Sequence, residues 1–253
     1  MNLRETNLLG FVGAEEQNLL VSLVKCHRDI AQAFPKLDGA YQAPIKYIDV
    51  NIKDEHPKTV LALYSFIHYH LYLSTVMLLR CHLSDSLAST RKAIDATLTA
   101  YRLIAEPETL EEYKGQHRNY QFIKGYIERR KKKDAAQFPL AAPLIEFHEK
   151  CSEYGSHADI SSFVHRLSVE EVEGTDKGIL RVGMFQVMSE LESRHHMVMT
   201  FLVYGTMLKV LCQFIGGLAQ GLDRAVWGNA IDDLLAAIHT EAAQIEASME
   251  NAD

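Results

Sequence analysis

The densest run of chemically capable side chains is Glu153-Tyr154-Gly155-Ser156-His157-Ala158-Asp159, with His165 following. It sets hydroxyls, an imidazole and carboxylates around a glycine that breaks a helix, so these groups could converge on a pocket and support binding or acid–base chemistry. Ser156 is also an ordinary N-cap for the helix that follows, and capping is the weightier reading. A second feature is Arg91 with Asp95, four residues apart and bordering an apolar stripe. That spacing allows a salt bridge, although the Arg-first order is the weaker one. A charged pair so close to a core either ties helices together or lines a cleft, and tying is the commoner role. The candidate ligand-binding set is therefore Arg91, Asp95, Tyr154, Ser156 and His157, with no catalytic residue assigned.

Twelve histidines invite a metal hypothesis. Helical metal sites need ligands three or four residues apart so that they share a face, and no two histidines have that spacing. Glu192-Ser193-Arg194-His195 gives one half-site of the kind found in di-iron bundles, but no second copy exists, and a structural role is favoured for both residues. Neither a metal nor a cofactor is expected. G-x-G-x-x-G, G-x-x-x-x-G-K-[ST] and G-x-S-x-G are absent, which removes the usual phosphate loops and the hydrolase nucleophile elbow. S-x-x-K occurs at Ser22-Lys25 and Ser89-Lys92 without companion motifs, as chance supplies in helices.

Cys26, Cys81, Cys151 and Cys212 lie far apart with no C-x-x-C pair, so reduced, mostly buried thiols are expected. The first residues lack a charged-then-apolar signal pattern, and a cytoplasmic location is the expectation. The net charge of −7 suits solubility and does not suit a global nucleic-acid binder. The local exception is Arg129, Arg130, Lys131, Lys132 and Lys133, which could contact phosphates but reads more simply as a solvated helix end. Nucleic acid is not an expected partner.

Such side chains need a scaffold, and hydrophobic periodicity makes that scaffold helical nearly everywhere. Helices are expected over 14–34, closed by Pro35 and Gly39; over 57–81; over 84–105, with Ser84 as N-cap; and from Pro107 to the basic run. Further helices are expected over 144–154, 157–167, 185–215 and 223–249, with Gly216-Gly217 and Gly221 ending the longest. Val169 to Gly183 flanks Gly174-Thr175-Asp176-Lys177-Gly178 and could turn a small hairpin or form an irregular loop. Thr59 to Leu79 has no charged residue and Met197 to Ala219 has only Lys209, so both are long enough to span a membrane. The histidines, tyrosines and hydroxyls of the first and the lysine of the second suit buried central helices better, so no membrane span is expected. With 47% hydrophobic and 23% charged residues and no repeat or linker, the expectation is all-α. The architecture expected is one helical domain over 1–253, a multi-helix bundle with two central apolar helices.

Ser89-Thr90-Arg91-Lys92-Ala93-Ile94-Asp95-Ala96, continuing to Ala105-Glu106-Pro107-Glu108, resembles a signature of an uncharacterised group of all-helical bacterial proteins. The signature is an arginine, three residues, an acidic residue, then Asp/Glu-Pro-Glu. Tyr154-Gly155-Ser156-His157 looks like the later Ser-His element of that group, and the likeness covers residues 60 to 215. The group is similar in turn to HEPN (higher eukaryotes and prokaryotes nucleotide-binding) helical domains, many of them metal-independent ribonucleases. Catalytic HEPN domains carry an arginine four to six residues from a histidine, and this chain has no such pair. The resemblance thus implies Arg91, Asp95, Ser156 and His157 as positions of interest and does not extend to nuclease activity.

Three functional expectations result. The first is a non-catalytic interaction or scaffold protein, a homodimer that buries part of an apolar helix. The second is a small-molecule-binding protein or enzyme with its pocket around Arg91 and His157. The third is HEPN-like RNA binding or cleavage through residues 129–133 and His157.

Overall fold

The computed structural model describes residues 7–49, 51–115, 140–155, 167–171, 178–183, 185–186 and 188–251. Among these the chain is an all-α multi-helix bundle with one small antiparallel hairpin.

The bundle is organised around α7 (Glu190–Leu218), which follows the hairpin in the chain. Thr200 through Leu208 is buried on every side, as the nearly continuous apolar sequence demands of a helix without a solvent face. Ser189 and Glu192 start α7 with a capping box: the serine hydroxyl accepts from the Glu192 N–H, and the carboxylate accepts from the Ser189 N–H. The expected start at Phe185 is thus corrected to Glu190. Gly216 and Gly217 do not stop the helix. A Cβ on Gly216 would lie 3.2 Å from the Trp227 ring, so this glycine serves close packing, and the turn falls at Gly221 with φ of 90°. After the turn, α8 (Arg224–Glu250) is capped by Asp223 and returns along α7, burying Trp227, Ile231, Leu234 and Ile238. The Trp227 indole N–H donates to the Ala40 carbonyl at 3.0 Å.

Against α7 lies a helical hairpin of α3 (Glu55–Leu79) and α4 (Leu83–Ala105), the most extensive helix pairing among the described residues. α3 buries Val60, Tyr64, Ile67 and Leu71, and leaves Phe66 and Tyr69 on an open face. It therefore occupies the centre with one face only, while α7 is enclosed. Both helices are long and apolar enough to cross a membrane by length and composition. The joint between α3 and α4 corrects the expected cap at Ser84. His82 N–H donates to Met77 O at 2.9 Å and Cys81 N–H to Leu78 O at 3.0 Å, the two bonds of a Schellman ending. Its left-handed position is held by Cys81, at φ of 64°, and α4 begins directly afterwards with His82 as N-cap.

The N-terminal stretch differs from expectation. The break comes at Cys26, between α1 (Leu8–Lys25) and α2 (His27–Gln42), and α2 continues through Pro35. A proline inside a helix forfeits one backbone hydrogen bond, and α2 tolerates this because its packing on α7 and α8 holds it helical. Tyr41 fixes it further: its hydroxyl donates to the Tyr204 carbonyl at 2.7 Å, and its own carbonyl accepts from the Tyr64 hydroxyl at 2.8 Å. Burial pushes all three phenols up, so they stay neutral: Tyr41 and Tyr64 donate, and the Tyr204 hydroxyl accepts from Ser74. Around them the fully buried Leu37, Ile67, Leu71 and Phe201 each contribute about 1.5–3 kcal/mol from removal of apolar surface.

Pro107 opens a short 3₁₀ turn, Pro107–Thr109, followed by α5 (Leu110–Gly115), and the rest of the expected fourth helix lies outside the described residues. α6 (Ala141–Gly155) starts earlier than expected, with Pro143 in its first turn, where the missing N–H has no intrahelical partner to lose. The segment with two open readings forms the hairpin: β1 (Leu167–Glu171) pairs with β2 (Gly178–Val182) in the register Leu167 with Val182 to Glu171 with Gly178.

Candidate functional site

The helical hairpin and α6 bring two of the five expected site residues together. Arg91 and Asp95 sit one turn apart on the α4 face that packs against α6. They converge on a residue the sequence did not single out, His148. Its Nε2 lies 3.0 Å from Asp95 Oδ1 and 3.3 Å from Arg91 Nε. One ring nitrogen cannot donate to the carboxylate and accept from the guanidinium at once. The Asp95 contact is the shorter of the two, and Arg91 reaches the same nitrogen from the preceding turn of α4.

His148 is 8% exposed, and Leu144, Cys151 and His148 itself form the inward stripe of α6. The signal present in the sequence is a histidine four residues after Leu144, on a face that periodicity marks as buried. Spacing among histidines alone does not reveal it, because its partners are an arginine and a carboxylate on another helix. Tyr154 lies in the last turn of α6, and Ser156, His157 and the basic run 129–133 lie outside the described residues.

The chemistry open to this cluster is narrow. Cys151 follows His148 by one turn on α6, and burial pushes its pKa up to about 12 against the pull of Arg91. At neutral pH it is a thiol and not a thiolate nucleophile. The Arg91 and Asp95 charges offset each other, so the cluster links α4 to α6 and offers polar contacts without a strong field. One or two turns along the same seam a groove of about 360 Å³ opens between α4, α6 and α7. Leu98, Tyr101, Leu144 and Val210 supply its apolar wall, with Lys209 and Gln213 as polar members. Lys209 is ion-paired with Asp232 at 2.6 Å.

Two other polar groups resemble catalytic pairs and serve packing. His70 Nδ1 lies 2.7 Å from the Ser89 hydroxyl, and both residues are buried between α3 and α4. Burial and then Lys92 lower the His70 pKa, keeping the imidazole neutral. On the α2–α3 face Asp38 accepts from the Tyr72 hydroxyl at 2.6 Å, from His68 at 2.7 Å and from Gln42 at 2.8 Å. Burial works to raise the Asp38 pKa, and these three bonds outweigh it and lower the pKa. Glu192 is engaged in the α7 capping box, and His195 lies 3.4 Å from Glu246, so this Glu-x-x-His does structural work. Among the described residues no three His, Cys, Asp or Glu side chains cluster as metal ligands. The four cysteines form no disulfide.

Comparison of the chain with models of known families, with curated proteins and with solved structures finds no match.

Proposed function

We propose that this chain is a non-catalytic helical interaction or scaffold protein that works as a homodimer. The observation that carries this reading is the concentration of exposed apolar side chains on α1. Leu8, Leu9, Leu20 and Val24 are between 65% and 82% exposed, and Val12, Val21 and Leu23 are also open. Leu9, Val12, Leu20, Leu23 and Val24 share one side of the helix and present roughly 500 Å² of apolar surface, toward the upper end of the largest patch of a typical monomer and the size at which a patch marks an interaction site. Water disfavours such a surface by its area, and a partner removes it. Light scattering of the full chain at tens of micromolar tests this, with a dimer mass expected and a monomer mass overturning it.

A second reading is favoured by the Arg91–Asp95–His148 cluster and the groove beside it: a small amphiphilic molecule bound along the α4–α6 seam. Crystals of the natively purified chain would then show density between α4, α6 and α7, and an empty groove would remove this reading.

A further inference from the structure

Resting on the self-association reading, we infer that the homodimer forms by antiparallel packing of α1 against α1 of a second copy, about a twofold axis beside Glu16 and Gln17. The inward side of α1 is fixed by Phe11, which stacks on Phe185 with ring centroids 5.2 Å apart, and by Glu15, which meets His82 at 2.8 Å. Ser22 lies on the same side and is buried. At 100° per residue the opposite side carries Leu9, Gly13, Leu20 and Val24, flanked along one edge by Val12 and Leu23, all exposed.

These positions are balanced about residue 16. An antiparallel pair centred there sets Leu9 against Leu23 and Val24 of the other copy, and Val12 and Gly13 against Leu20. This is the self-complementary arrangement an isologous interface requires. A Cβ built on Gly13 meets nothing within 4 Å, so the notch at this position is open and would admit Leu20 of the second copy.

Charge points to a like partner as well. A twofold interface places each patch against itself, and a patch with net charge would repel its copy across it. The one charged residue on the stripe, Glu16, is held by Arg80 of its own chain at 2.8 Å, which leaves the face electrically neutral. The apolar side chains of this stripe expose about 500 Å², so two copies would bury on the order of 1,000 Å² in all, the size at which a specific interface begins.

The test uses the full chain and two kinds of variant. Leu20→Glu, at an exposed position, is expected to give a monomer mass in light scattering with unchanged helical circular dichroism. Gln17→Cys is expected to crosslink to its copy with a short bis-maleimide beyond the level of the unsubstituted chain. Leu9→Cys is expected not to, because antiparallel packing separates the two copies of that position by about 20 Å along the axis. A dimer that survives Leu20→Glu, or crosslinks at Leu9 as readily as at Gln17, overturns the α1 arrangement and leaves self-association standing. An unsubstituted chain that is monomeric at the same concentration overturns both.

Discussion

Replacing Cys81 by glycine should stabilise the protein, although it deletes a side chain. The residue terminates α3 at φ of 64°, in the left-handed region, where a Cβ crowds the following carbonyl. That crowding costs about 1–2 kcal/mol for a residue other than glycine. Against it stands the extra freedom glycine gives the unfolded chain, about 0.4–1 kcal/mol. The Cys81 thiol approaches the Ser22 hydroxyl at 3.8 Å, a weak sulfur hydrogen bond whose removal changes little. Cys81→Ala keeps the crowding without the thiol, so the comparison of Gly with Ala isolates the backbone contribution. Glycine is expected to exceed alanine by about 0.5–1 kcal/mol in urea unfolding, or about 2–4 °C per kcal/mol in thermal midpoint for a chain of this size. In the interior of a helix the order is reversed, with alanine ahead by about 1 kcal/mol. An alanine variant equal to or more stable than the glycine variant would refute both the left-handed assignment and the Schellman ending built on it.

Other expectations rest on equally local features. His70 has its pKa lowered from 6.5 by burial, so neutral imidazole is the native form. Its contribution is fully present above that unfolded value and is lost as pH falls from there through the lowered native one. Urea midpoints of the unsubstituted chain should therefore drop on acidification from about pH 7.5 to about 5.5. The gap to His70→Gln should narrow over the same interval, and a gap that stays constant would contradict the assignment. Ser189→Ala removes one half of the α7 capping box and should lower stability by about 1 kcal/mol, read as a shift in the urea midpoint at unchanged slope. A Cβ on Gly205 would stand 2.7 Å from Leu235 Cδ2. Gly205→Val is therefore expected to destabilise by about 2–3 kcal/mol and Leu235→Ala in the same chain to recover at least about 1 kcal/mol, while strictly additive losses would show the two sites do not meet.

The fold class was legible because the signal behind it is long. Thr200 to Leu208 has no solvent face in sequence or in structure, and α3, α4 and α8 carry apolar stripes over more than six turns each. Boundaries were less legible where tertiary packing overrode a local signal. Pro35 reads as a stop, yet α7 and α8 hold α2 helical through it, and the break comes at Cys26, a residue with no breaking tendency. Cys81 could not be read as a helix terminator, since the left-handed region is ordinarily taken by glycine or asparagine. In the candidate site, Arg91 and Asp95 were visible as a pair one turn apart. Their shared partner was not, because His148 is 53 residues further along than Asp95 and only the packing of α4 on α6 joins them.

Trp227 is the chain's single tryptophan, and its indole is bonded to the backbone of α2 while its ring sits against Gly216 of α7. Its emission therefore reports one locality, where three helices meet far from α1. A titration that dissociates the pair should leave that fluorescence unchanged, and denaturant should shift it to the red. One spectroscopic signal thus separates loss of partnership from loss of fold without any label.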